Sequence, residues 1–580
     1  MLSSARGACL TKLLRQQYGA DPRSLALFRI ALATVVIYDL RERATDATVF
    51  YTDRGAFPRA VSMDDLPSPG KTSLHFANGH LWFQLTLFGV AACFAFQMLV
   101  GWKTRRAVIF TWLHTISLHN RNEVLLTGGD CLLRALLFWS MFCPLGAYFS
   151  FDAHVASLAA TSPSKGRHVG GCPPQELCAG VVALRVQAAL LYWASAMHKT
   201  APEWHEQQSA IYFALNIDGY TLPLGRWLLQ FPATMQCLTQ ASLALEFWGG
   251  LLLLLPSPRG LLRLLLSASF IGFHLGIALA MRLGVMTFIC VVGNLHYLPS
   301  FFWDQKSMPS TLVARWLLVA RARPIGQALC AILRANRYLS AGACSLHLPH
   351  TDDKNQAGRQ YPQRPRRRKF QEVVVATMLV YTVNGNMLLV NKSRRRAHLP
   401  PLLPAVLDRP LPGQEALLRS LGLDQAWDMF APAPMKDDGW WVIPGTLRDS
   451  SQVDVFRYGA CSGRRPARNA RSASTGLKSV SLLSYEKPEW IWQDYRSTRW
   501  HKYMRSLWAA RNGDHRRLLH FARYLCKQWN GPGKVMASAG SPGELLTLEI
   551  IMMLEYTLPD YKLAHPTRVV LWKHSCLDPP

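Results

Sequence analysis

Long windows with one charged residue or none alternate along this chain with dense basic clusters. Apolar runs of about 20 residues, the length a helix needs to cross a bilayer, fall at roughly 24–40, 81–100, 104–119, 126–147, 179–199, 235–255, 261–281, 284–299 and 371–391. A lipid-exposed segment must satisfy its own backbone hydrogen bonds, so these runs are read as helices. The pattern predicts a mainly α protein, a polytopic transmembrane bundle of about nine spans. After the last run the alternation changes. "WWVIP…SQVDVF" reads as a short hairpin, 489–529 as a basic aromatic helical stretch, and "LLTLEIIMMLEY" as a final strand. The tail is therefore expected to be a small mixed α/β soluble domain.

Composition alone would miss this. Half of the 580 residues are hydrophobic, yet 17% are charged and mean hydropathy is only +0.06, averages that a soluble protein can also show. Polar loops and a soluble tail diluting apolar spans explain them. The net charge of +28 raises the question of nucleic acid, but the basic clusters sit beside spans, where anionic headgroups attract Lys and Arg. A lipid bilayer is the expected partner and nucleic acid is not. With the N-terminus cytosolic, "WKTRR", "SKGR", "RGLLR" and the basic stretch 315–369 all fall on the cytosolic side, as the positive-inside rule asks. "NKSRRR" at 391–396 runs against it.

The chain divides accordingly. Residues 1–23 form a basic N-terminal segment without the apolar core of a signal peptide. Residues 24–303 form the main transmembrane domain, and 304–370 a basic, partly disordered cytosolic linker. Residues 371–391 form the final span and 392–580 the soluble C-terminal domain. Segments 336–369 and 462–475 have the polarity of disordered chain. The protein is expected to be a multi-pass integral membrane protein, in the endoplasmic reticulum if eukaryotic and otherwise in the plasma membrane.

Common soluble catalytic signatures are absent. Thirteen cysteines form no CxxC pair, and the histidines show no metal-binding spacing, so no metal is expected. "CPPQELC" at 172–178 could close a small disulfide loop, but the topology puts it in the reducing cytosol. What remains is polar chemistry at membrane depth, where an ionisable group costs about 2.5–3.5 kcal/mol on insertion scales. Arg185, Tyr192 and Lys199, seven apart, form one helix stripe. Arg263, Ser267 and His274 share another face. "SLHNRNEVLLTGGD" packs Asn120, Arg121, Asn122 and Asp130 around a turn. Each feature also has a plain structural explanation: a lysine snorkelling from a helix end, a histidine bonding between helices, a turn capping its helices.

The motifs "FYTDRGAFPRA", "SLHNRNEVLLTGGDCLLRALLFW", "YWASAMHKTAPEWHEQQSAIYFAL", "FHLGIALAMRLGVMTFICVVGNLHYL" and "LDQAWDMFAPAPMKDDGWWVIPGTLRDSSQVDVF" together resemble the HTTM family, membrane proteins related to vitamin K-dependent gamma-glutamyl carboxylase. The resemblance implies a carboxylase-like enzyme that couples oxygenation of a quinol to carboxylation of glutamate. Vitamin K hydroquinone or another quinol would be the cofactor, oxygen and carbon dioxide the co-substrates, and a protein or peptide glutamate the acceptor. "YWASAMHKTAPEW" matches the family's lysine context, which makes Lys199 the base that deprotonates the quinol. "FHLGIALAMRLGVMTF" places His274 at a family histidine. A second family histidine falls near Gly129 or Asp130, where this sequence departs. Tyr192, Arg185, Asn120, Arg121, Asn122 and Asp130 are the expected substrate-binding residues. A lysine acts as a base only as a neutral amine, which desolvation at the bilayer edge favours. The chain lacks a large β domain like the one that reads a propeptide in the animal carboxylase. Two other readings stay open: an enzyme on the same scaffold with a different lipid-soluble substrate, and a non-catalytic membrane scaffold or transport component.

Overall fold

The computed structural model describes residues 15, 18–64, 72–158, 175–257, 260–303, 365–404, 406–458, 483–513, 515–531, 543–560 and 562–577. The linker predicted over 336–369 lies outside these residues up to 364, where a helix is already about to begin. The one predicted over 462–475 lies wholly outside them.

Shorter helical segments aside, the bundle is built from nine helices among the described residues. They are α1 (Pro22–Thr45), α2 (Leu81–Val100), α3 (Thr104–Arg121), α4 (Gly128–Ser140), α5 (Ala179–His198), α6 (Pro232–Ala244), α7 (Leu261–Ala280), α8 (Val285–Leu295) and α9 (Pro365–Arg396). Their ends follow local chemistry. Asp21 caps α1 by accepting from the Arg23 amide, with Pro22 in the first turn, where its missing N–H costs nothing. Gly101, in the left-handed region at φ 73°, closes α2 as a glycine at that position commonly does. The α6 helix runs on through a π-turn at Leu245–Gly249 and a last turn at Gly250–Leu252.

The protein is mainly helical, with four helices among the described residues long and apolar enough to cross a membrane: α2, α5, α7 and the Lys369–Arg396 part of α9. The expectation of about nine spans is corrected on this point. The other five apolar runs are helical but shorter or more polar. The α4 and α8 helices have 13 and 11 residues, too few for a bilayer core at 1.5 Å rise per residue. The α1 helix is long but carries Arg29, Asp39 and Arg43, all buried in the protein.

Side-chain contacts fix the helix directions. Arg29, early in α1, donates to the Leu145 and Phe149 carbonyls beyond the end of α4, while Arg43, late in α1, meets Asp130 at the start of α4. These two helices are antiparallel. The α5 helix runs parallel to α7, since Arg185 and Arg263 both donate to the Gly19 carbonyl and Tyr192 reaches His274. It also runs parallel to α9, through His198 and Ser393.

The C-terminal domain sits on one end of this bundle. Two helices, α10 (Thr498–Ala509) and α11 (Arg516–Asn530), accompany a sheet of β1 (Asp437–Val442), β2 (Pro444–Leu447), β3 (Gln452–Asp454), β4 (Leu545–Leu558), β5 (Lys562–Leu563) and β6 (Thr567–Ser575). The long β4 strand is its spine. It pairs antiparallel with β6 along one edge and with β1 and β2, end to end, along the other. β2 and β3 form a hairpin. A disulfide joins Cys526 on α11 to Cys576 after β6. The domain touches the loops after α1, α3, α5 and α7, through Asp46–Ser497, Leu125–Arg499, Asp218–Asp438 and Arg282–Tyr495.

Candidate functional site

Pro202 stops α5 soon after Lys199, which is the C-cap of the helix. The lysine does not snorkel outward. It is buried, and its Nζ contacts the equally buried Glu246 Oε2. The Trp204 ring lies 4.4 Å from Nζ, and His205 Nε2 is 2.7 Å from the lysine's carbonyl oxygen. Glu246 is presented by the π-turn of α6. Such a turn inserts one extra residue into a helix and often marks a functional position.

Next to this pair is a second polar chain. The Asn294 amide donates to Tyr192 Oη at 2.7 Å, which leaves the phenolic proton for His274 Nε2, 3.1 Å away. Asn294 also donates to the Cys290 carbonyl, and its Oδ1 has no hydrogen-bond partner. The Tyr192 ring is stacked on Phe270 with centroids 3.7 Å apart. Lys199 is within electrostatic reach of His274. Three helices, α5, α7 and α8, thus bring Tyr192, His274 and Asn294 to one point, and α6 adds the acid.

The other predicted residues lie elsewhere. Arg185 is 14 residues before Lys199, about 21 Å of helix rise. It donates to the Gly19 carbonyl and packs over Tyr297. The stripe seen in the sequence is real as a helix face, but its two ends serve different places. Asn120, Arg121 and Asn122 donate to the Thr72, Phe57 and Phe50 carbonyls, tying down the segment after α1. Asn120 also lines a cleft of about 230 Å³ with Phe57, Glu123 and Arg517.

Asp130 belongs to a third cluster. It completes a capping box with Thr127 at the start of α4. Its carboxylate also accepts from Arg43 at 2.7 Å and from both Nη atoms of Arg499 at 2.5 and 2.7 Å. Asp39 accepts from the same two arginines at 2.8 and 2.6 Å. Arg43 further donates to Tyr51 Oη at 2.7 Å. Ligand atoms of Asp39, His119 and Asp130 lie within 4.8 Å of one another, a spacing that could hold a metal ion. Two guanidiniums already balance the two carboxylates, so a cation there would have to displace an arginine. His119 is fully buried, 3.5 Å from Asp130.

Sequence reasoning passed over Glu246, Asn294, Arg43 and Arg499. Glu246 had a signal, as the single acid inside the apolar run "LALEFWGGLLLLL". Arg499 had none, because 369 residues separate it from Asp130. No family model, curated protein or solved structure matches this chain. The resemblance to HTTM proteins stands on the motifs alone.

Proposed function

We propose that this protein is a multi-pass membrane enzyme of the carboxylase type, with Lys199 as its base. The buried Lys199–Glu246 contact carries the reading. An ammonium and a carboxylate in direct contact can exchange one proton, and the amine is neutral whenever Glu246 holds that proton. With Glu246 holding the shared proton, the neutral Lys199 amine accepts the proton of a bound acidic hydroxyl, and Glu246 is left as a neutral acid beside the ammonium.

The surroundings suit a flat, lipid-soluble reductant such as vitamin K hydroquinone or another quinol. Aromatic rings of Trp204 and Phe270 flank the polar atoms, and Asn294 Oδ1 is an unfilled buried acceptor. When bound, the quinol with oxygen supplies the reducing equivalents and the strong base that carboxylation of a glutamate by carbon dioxide requires. His274, held through Tyr192 and Asn294, orients or stabilises an anion by hydrogen bonding. Arg185 has no part at this end of the bundle. The protein is placed in the endoplasmic reticulum if its source is eukaryotic and in the plasma membrane otherwise.

The test is quinol-dependent incorporation of labelled carbon dioxide into a glutamate peptide by the protein in nanodiscs, comparing wild type with Lys199→Ala. The expected outcome is incorporation that the substitution abolishes. Quinol epoxidation that needs Lys199 but labels no peptide would keep the oxygen chemistry and replace the acceptor. Silence of the wild type in both assays would overturn the proposal.

A further inference from the structure

The end of α5 opposite Lys199 holds two cysteines that the site above does not use. Cys178 is the N-cap of α5, and Cys143 lies in the turn after α4. Cys143 Sγ donates to the Trp139 carbonyl, and Cys178 Sγ donates to the carbonyl of Phe142, the residue before Cys143, each at 3.5 Å, so the two thiols are neighbours. Gly180 lets them meet: a Cβ added there would come within 2.9 Å of Cys143 Sγ. Both residues are half-buried. The neighbouring Cys143 thiol lowers the Cys178 thiol below its usual range against the opposing effect of burial, and the amides of Val181 and Gly180 help. A cysteine at a helix N-terminus is the more readily ionised and the better nucleophile near neutral pH.

The other paired cysteines among the described residues lie at the far end. Cys526 and Cys576 are joined by a disulfide in the C-terminal domain, which caps the Lys199 end of the bundle. Disulfides persist in oxidising compartments and thiols in reducing ones. The two ends are separated by the 20 residues of α5, about 30 Å of helix and the thickness of a bilayer core. The basic "WKTRR" loop between α2 and α3 lies at the thiol end, as a cytosolic face requires.

We propose that Cys143 and Cys178 form a reversible dithiol–disulfide site on the cytosolic end of the bundle, oxidised by small disulfides of the glutathione type. The Cys178 thiolate attacks one sulfur of the oxidant, breaking its S–S bond and releasing one thiolate. Cys143 loses its proton and attacks the Cys178 sulfur of the mixed disulfide, releasing the second thiolate. The two cysteine protons end on the two released thiols. Two electrons pass from the cysteines to the oxidant. The new bond would clamp the turn after α4 to the start of α5, the helix that carries Tyr192 and Lys199.

The experiment equilibrates the full-length protein in nanodiscs with graded ratios of reduced to oxidised glutathione, followed by acid quench, alkylation and peptide mass spectrometry. The expected result is a 143–178 linked peptide that appears under oxidising ratios and disappears under reducing ones. Cys143→Ala should trap Cys178 as a glutathione mixed disulfide and slow its alkylation at pH 7 several-fold, because the neighbouring thiol is gone. Cys178→Ser should leave Cys143 unmodified. Cys172, which lies outside the described residues, is the rival partner in "CPPQELC". Persistence of the 143–178 link in Cys172→Ser supports the proposal. A 172–178 link, or a Cys178 that stays fully alkylatable at the most oxidising ratio, would overturn it.

Discussion

Two buried ion clusters face the C-terminal domain, and they are built differently. In the first, Asp39 and Asp130 share Arg43 and Arg499 through at least five hydrogen bonds of 2.5–2.8 Å. Charge is balanced two against two, and the arginines come from a bundle helix and from α10. In the second, Lys199 meets Glu246 alone, with an unpartnered Asn294 oxygen close to its neighbour Tyr192. A closed network of bidentate pairs resists change, since any missing member strands a desolvated charge. A single contact leaves a proton free to move. The first cluster holds the domains together, and the second is suited to chemistry.

Removing a member of the closed network should have the largest effect. Asp130→Ala leaves two guanidiniums short of a counter-charge and is expected to cost about 3–5 kcal/mol. Thermal unfolding and release of the C-terminal domain by protease would report it. A stable variant with its tail still docked would break the comparison. Next comes the open pair. Lys199→Met strands the Glu246 carboxylate and should cost about 3 kcal/mol, most of it restored by adding Glu246→Leu, because a buried pair can be replaced by apolar side chains. Activity should remain absent in both variants. Recovery of activity with stability would make the pair structural.

Tyr192→Phe is smaller still. It removes the hydroxyl that joins Asn294 to His274 and should cost about 1–2 kcal/mol, with turnover down roughly 10-fold while substrate affinity holds. Equal loss at low and saturating substrate would support positioning of His274. A change in affinity alone would place Tyr192 in binding.

The last effect depends on pH at the same interface. Burial, and then Asp218, pushes the Asp438 carboxyl up to about 7. The native state therefore holds a proton there that the unfolded chain releases near its usual value. Stability from this group is fully present below about pH 4 and falls as pH rises to about 7. His501 and His75, held neutral down to about 3 and about 4 by burial, act in the opposite sense, losing stability as pH falls below about 6.5. Asp438→Asn isolates the first contribution. Its melting temperature should exceed that of wild type by an amount that grows from pH 5 to 7.5, and a constant difference would refute the assignment.

Several features could be read without coordinates. The α2, α5, α7 and α9 spans are visible because long apolar runs admit little else. Asp21 before Pro22 announces the start of α1, and Pro202 the end of α5. Spacing by seven placed Tyr192 and Lys199 on one face, and by four and seven placed Ser267 and His274 with Arg263. The same rule extended the stripe too far, since it is blind to distance along the helix and Arg185 serves the opposite end. The "HNRN" turn drew notice for its polarity, yet polarity alone does not distinguish a binding surface from carbonyls that need donors. Asn120, Arg121 and Asn122 turned out to serve such carbonyls.

The sequence by itself determined which helices are long and apolar enough to cross a membrane and that the chemistry-bearing residues concentrate at helix ends, because hydrophobicity and helical period are local properties. Only the tertiary structure decided which of them meet. A buried charge takes whichever partner the packing brings within about 3 Å, and that partner can be 47 residues away, as Glu246 is from Lys199, or 369, as Arg499 is from Asp130.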